Sequence, residues 1–187
     1  EQGRDARVHA STVQMGGRLG KSFVTGRMMD QGGEFRGLGV FAGANHETLD
    51  MEMMAEHHAD HGQSSLLYKV VVKDRAHSVF QGNLLIPEGR KDVDSHQVNN
   101  NILLDRNARA ESIPRLIIQS EDVSCEHGAT VGELEDDALF FLMSRGLTEP
   151  DARALLVAGF LAEAIEEIPA PALHEDLLEE SRHKLAL

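Results

Sequence analysis

The stretch YKVVVKDRAHSVFQGNLLIPEG (residues 68–89) decides the fold, because it packs two apolar bursts and two polar breaks into 22 residues. Neither burst is long enough for a helix. Each is bounded by Gly, Pro, Asn or Asp, the usual borders of a strand. Working outward, NNNILLD, PRLIIQS and DVSCEHG continue the series. The first four bursts centre near Val71, Leu85, Leu103 and Ile117, a recurrence of about 14–18 residues. A longer echo links FRGLGVFAGA at Phe35 to FQGNLLIPEG at Phe80. Antiparallel hairpins would show two- to five-residue turns with Asn-Gly or Asp-Gly signals. Those signals are scarce, so the pattern favours a mainly β fold, a coiled solenoid of parallel strands over residues 1–132.

Residues 133–187 change character, with thirteen acids against four bases and apolar residues at helical spacing. A first helix is expected from about Glu133 to Arg145, with Leu134, Ala138, Phe141 and Leu142 on one stripe and Gly146 ending it. Thr148 reads as the cap of a second helix, with Pro150 and Asp151 in its first turn, and Pro169 and Pro171 stop it. A third amphipathic segment runs from about Pro171 to Lys184. Three such helices suggest a small α-helical domain capping the β region, its acidic face either solvated or a docking surface.

Composition narrows the function classes. The 187-residue chain carries 31 acids and 18 bases, a net charge of −13, which argues against nucleic acid or an anionic membrane as main partner. No apolar run approaches the ~20 residues of a membrane helix. A single cysteine, Cys125, fits a reducing cytoplasm, and EQGRDARVHA has no signal-peptide core. QMGGRLGKSF (residues 14–23) ends like a phosphate-binding loop. The glycine such a loop needs five residues before Gly20 is Met15, so a Gly-rich turn between strands is the better reading.

Candidate chemistry concentrates in two places. In DVSCEHG, strand alternation sends Val123, Cys125 and His127 one way and Glu126 the other. Cys125 and His127 could ligate a borderline metal, form a nucleophile pair, or be a core thiol and a strand-ending imidazole. In EHHADHG, His57, His58 and His61 are either a metal site or polar corners. His96 and Asn99-Asn100-Asn101 suit rung corners, and Met51, Met53 and Met54 suit the core. A β-helix carbohydrate enzyme would need paired carboxylates and stacking aromatics, poorly served by no Trp and one Tyr.

SCEHGATVGELEDDALFFLMSRGL (residues 124–147), SSLLYKVVVKDRAHSVFQGNLLIPEG, QVNNNILLD, RALLVAGFLAEAIEEIP and GGRLGKSF together resemble the C-terminal core of the SufB/SufD family, scaffolds of the SUF iron–sulfur cluster assembly machine. The resemblance covers most of the chain. It implies a right-handed parallel β-helix followed by a helical domain, in a cytoplasmic, non-catalytic scaffold subunit. It implies docking of the SufC-type ABC ATPase on the helices, with no nucleotide bound by this chain. Pairing through the β-helix would be with a SufB/SufD-type subunit or with a second copy. Cys125 and His127 match SufD-like positions implicated at the subunit interface, as metal ligands for a transient iron–sulfur cluster or iron. Glu126 matches an acidic position common on the SufB side, which makes all three candidate cofactor-binding residues. Gly128 follows the SufD pattern, and the cysteine that SufB-like chains place before NILLD is replaced by Gln97-Val98-Asn99-Asn100. The chain therefore leans to SufD, or to a simplified archaeal-type homologue that pairs with itself. Family members carry more residues before this core. The alternative is a purely structural docking subunit without cluster ligands.

Overall fold

A computed structural model describes residues Glu1–Leu187. Nine strands come first: β1 Arg7–Gln14, β2 Leu19–Met28, β3 Glu34–Gly43, β4 Thr48–His57, β5 Gln63–Val72, β6 His77–Ile86, β7 Lys91–Leu103, β8 Arg109–Ile118 and β9 Asp122–Gly132. They form two parallel sheets, ordered β1-β3-β5-β7-β9 and β2-β4-β6-β8. The chain alternates between the sheets, so this is a parallel β-solenoid of about four turns. Partners in the ladders are a full turn apart, as in Glu34↔Gln63 and His77↔Arg109. The 14–18-residue recurrence is thus the half-turn, one burst per sheet.

The lumen follows from strand alternation. Met51, Met53, Phe35, Phe41, Leu66, Tyr68, Phe80 and Leu84 point inward and pack as one cluster. Met54 lies on the outer face instead. Tyr68 stacks on Phe41 with ring centroids 5.9 Å apart and tilts against Phe80 at 4.6 Å. Toward the C-terminal end the inner face of β7 becomes polar, with Ser95, Gln97, Asn99 and Asn101 all buried. Asn99–Asn101 are therefore not corners but the middle of a strand. Asn101 Nδ2 donates to Asn99 Oδ1 and to the Thr130 carbonyl, both at 2.9 Å, while its Oδ1 has no partner. His96 is also mid-strand, on the outer face of β7.

The corners carry the left-handed residues. Asn45 and Asp74 have φ of 57° and 56°, a region that Asn and Asp tolerate. Their stacking is held by carboxylates: Asn45 N–H donates to Asp74 Oδ2 at 2.8 Å, and Asp74 N–H to Asp105 Oδ2 at 2.7 Å. Gly17, at φ 90°, turns the GGRLGKSF stretch into a corner leading to β2, and Lys21 pairs with Asp50 one rung away at 2.7 Å. The phosphate-loop lookalike is a strand and its turn.

Three helices follow, α1 Asp136–Ser144, α2 Glu149–Ile165 and α3 His174–Leu185, the last preceded by a 3-10 turn at Pro171–Leu173. Thr148 caps α2 by accepting from Asp151 N–H, as expected. The α1 stripe differs from expectation. Leu139 is its buried residue, whereas Phe141 is 56% exposed. The helices cover the β region from its side. Val157, Leu161, Ala164 and Ile165 of α2, with Leu185 of α3, pack on the outer face of the five-stranded sheet at Leu38, Val40, Ala42 and Val71. The physical reason is that β3 and β5 are apolar on both faces, so a second layer must cover them. Lys69 is sealed in this seam, 3% exposed, paired with Glu163 and lying 4.5 Å over the Phe160 ring.

Candidate functional site at the terminal rung

β8 and β9 end their sheets, so each has one unpaired edge. The β7–β9 register sets Val123 beside Val93, Cys125 beside Ser95 and His127 beside Gln97. Since Val93, Ser95 and Gln97 face the lumen, so do the three β9 residues. The last rung lacks a next rung to cover it, which is why Cys125 is only half-buried and His127 exposed. Burial, and secondarily the Asp94 carboxylate, pushes the Cys125 thiol above its usual value. Both effects disfavour the thiolate, which is the form that ligates metals. A bound cation would reverse that balance.

Strand alternation sends Glu126 the other way. It lies on the outer face, with its Oε2 3.5 Å from His96 Nδ1, while His96 Nε2 is 3.1 Å from Asp94 Oδ1. The structure thus brings Cys125 and His127 onto one face and keeps Glu126 apart from them. No group of three His, Cys, Asp or Glu side chains is arranged to hold a metal ion. Any metal held at this rung needs ligands from outside the chain, because Cys125 and His127 supply only two.

The three clustered histidines are scattered by the solenoid. His57 ends β4 inside the lumen, fully buried, 2.9 Å from Ser64 Oγ. His58 faces out to Glu56 Oε2 at 2.9 Å, and His61 sits at a left-handed corner, 3.2 Å from Asp92 Oδ2. They share no site. Tyr68 is buried in the lumen, so the one Tyr cannot stack on a sugar.

A second feature was not read from the sequence. Where β9 runs into α1, a cleft of about 310 Å³ opens between Ile102, Val131, Leu134, Ala138, Leu156 and Phe160. Phe140, Phe141, Met143 and Leu155 lie exposed on the same two helices. The signal was present in the sequence as Phe140-Phe141, adjacent aromatics that one helix face cannot both bury. No helix is long and apolar enough to cross a membrane.

Comparison with known proteins agrees with the fold. The family model described as "SUF system FeS cluster assembly, SufBD core domain" matches residues 1–160. An iron–sulfur cluster assembly SufBD family protein of Mycobacterium leprae is 32% identical over 99% of this chain and 49% of its own length. One from Synechocystis is 33% identical over 92% of this chain and 38% of its own. The iron–sulfur cluster assembly protein SufD of Escherichia coli is 28% identical over 93% and 41%. The chain therefore spans about half or less of the length of these relatives. A parallel solenoid, a matched core over most of its residues and relatives above 30% identity lead to one conclusion: the chain belongs to the SufBD family of the SUF iron–sulfur cluster assembly system.

Proposed function

We propose that the chain acts as a non-catalytic scaffold subunit in iron–sulfur cluster assembly, contributing Cys125 and His127 to a site completed by a second SufB/SufD-type subunit or a second copy. The observation that carries this reading is the terminal rung. Cys125 and His127 share a lumen-facing side of β9, the strand with a free edge. An unpaired parallel edge is a template for another chain's strand. Exposed Ile113, Ile117 and Ile118 on β8 and Val131 on β9 give that end apolar surface to bury. Glu126, on the outer face beside His96, serves the rim of the contact rather than the ligand set.

The test is a complex reconstituted anaerobically with the ATPase and sister subunit, assayed for iron and acid-labile sulfide. Cys125→Ser and His127→Ala are each expected to lower both by about tenfold, the usual scale for losing a metal-site group. The assembled complex should keep its size on gel filtration. Unchanged iron and sulfide would leave the chain as a purely structural docking subunit.

The helices, residues 133–187, are the proposed docking unit for the SufC-type ATPase, supported by the exposed Phe140, Phe141, Met143 and Leu155. Apolar anchors of this kind dominate interface energetics. Phe141→Glu with Leu155→Glu is expected to weaken ATPase binding by about tenfold or more in calorimetry. Circular dichroism of the isolated subunit should be unchanged, since both side chains are solvent-facing. Undiminished binding would move the docking face elsewhere.

A further inference from the structure

The corners that carry the chain from the five-stranded to the four-stranded sheet stack along one edge of the solenoid, at residues 15–18, 44–47, 73–76 and 104–108. Backbone bonds tie them rung to rung: Thr48 N–H to the Arg18 carbonyl at 3.0 Å, Arg75 N–H to Asn45 at 2.8 Å, His77 N–H to Glu47 at 2.9 Å and Arg109 N–H to Ala76 at 3.0 Å. Arg18, Arg75, Arg106 and Arg109 are exposed along this edge, and none has a carboxylate partner.

The local carboxylates are engaged elsewhere. Asp74 and Asp105 accept the backbone N–H groups of the preceding rung, and Glu47 pairs with Lys184 from the end of α3. The opposite edge, at corners 29–33, 58–62, 87–90 and 119–121, has the reverse balance. There Arg90 is outnumbered by Asp30, Asp60, Glu88 and Glu121, and pairs with Asp60 at 3.5 Å, while Arg4 pairs with Asp30 at 3.7 Å. In a chain of net charge −13, the arginine-bearing edge carries an excess of cations: Arg18, Lys73, Arg75, Arg106 and the flanking Arg109 outnumber Glu47, Asp74 and Asp105. Asn45, His46, Asp74, Arg75, Asp105 and Arg106 line a shallow polar groove there.

We infer that this arginine edge docks an acidic helix of a partner protein. Successive rungs of a parallel sheet stand about 4.8 Å apart. Side chains at i and i+4 on a helix stand about 5–6 Å apart. A helix laid along the solenoid axis with Glu or Asp at that spacing therefore meets Arg75 and Arg106 in step, and each guanidinium can donate two N–H bonds to a carboxylate. A nucleic acid fits less well, because its long run of phosphates would pass from this short edge onto an acidic surface. The inference rests on the excess of cations at these corners and is independent of the cluster site.

The test uses the intact chain and a labelled synthetic helical peptide with Glu at i, i+4 and i+8, read by fluorescence anisotropy at about 50 mM salt, where surface charge is weakly screened. The same peptide with Gln for Glu, and a short single-stranded DNA, are run beside it. The Glu peptide should bind, the Gln peptide should not, and Arg75→Glu with Arg106→Glu should weaken binding about tenfold. Arg4→Glu with Lys91→Glu, on the opposite edge, should leave it unchanged. Arg75→Gln with Arg106→Gln should also weaken it, which keeps the test decisive if the Glu variant fails to fold. Equal loss in the opposite-edge variant, no binding of the Glu peptide, or equally tight DNA binding would overturn the inference.

Discussion

Gly39→Val is expected to destabilise the solenoid by about 3 kcal/mol, a large share of the roughly 5–15 kcal/mol that keeps a typical domain folded. Gly39 faces the lumen on β3, and a Cβ there would lie 2.3 Å and 2.4 Å from the Tyr68 ring and 2.8 Å from Phe41. The ring cannot retreat, because it is held between Phe41 and Phe80. The missing side chain is therefore space that Tyr68 occupies, and close-packed interiors respond to overfilling with strain. Urea unfolding followed by circular dichroism gives the size of the loss. Tyr68→Ala alone should cost about 3–5 kcal/mol through the cavity it leaves. Combined, the two changes should cost less than their sum by about 1–3 kcal/mol, since the valine enters the vacated space. Strict additivity would mean that Gly39 matters for its backbone and not for its contact.

The same packing logic separates what the sequence disclosed from what it hid. Bursts such as YKVVVKD and NLLIPEG disclosed strands because each alternates a lumen face with an outer face between polar corners. The full turn was hidden, since turn lengths vary: Arg7 pairs with Glu34, but His77 with Arg109. Asn99–Asn101 looked like a corner because amides are common in turns. In β7, Asn99 and Asn101 instead join a buried polar layer below the terminal rung, donating to the Tyr68 and Thr130 carbonyls of the neighbouring strands, while Asn100 faces out toward Thr130. The side-on position of the helices was written in β3, where Leu38, Val40 and Ala42 are apolar on the face opposite Phe35 and Phe41. Lys69 obscured that signal in β5, for a lysine in an outward position reads as solvated. Cys125 and His127 could be placed on one face from alternation alone. That they sit at an unpaired sheet edge depends on how many rungs follow, which local pattern does not encode.

His57 makes stability sensitive to acid, and the sign follows from its position. Its imidazole is buried, Nε2 meets Ser64 Oγ at 2.9 Å, and that serine meets Ser95 Oγ at 2.8 Å. Nδ1 has no partner and faces the Gly62 backbone, where an added Cβ would lie 2.5 Å away. The charged imidazolium carries an N–H on both ring nitrogens, so it would have to leave the one at Nδ1 without an acceptor. Burial, with a smaller contribution from His58, holds the pKa down at about 4 against 6.5 for the unfolded chain. Above pH 6.5 both states are neutral at this group and it has no effect. Below it the unfolded state binds the proton first, so stability falls progressively from pH 6.5 to about 4 and then levels. The full loss from this one group is about 3 kcal/mol. Glu56 acts in the same direction. Burial alone would raise its pKa, but hydrogen bonds from His58 and Arg27 outweigh that and lower it. Its stabilisation is therefore lost as it protonates in acid. Comparing the wild-type chain with His57→Gln removes that shared background, because the variant keeps Glu56, His58 and Arg27. Urea unfolding at pH 7 and pH 4.5 should show the wild-type chain losing about 2–3 kcal/mol more than the variant, whatever their relative stability at pH 7. Parallel losses in the two proteins would mean that His57 accepts a proton in the folded state as readily as in the unfolded one, and that the lumen around Ser64 and Ser95 is open to water.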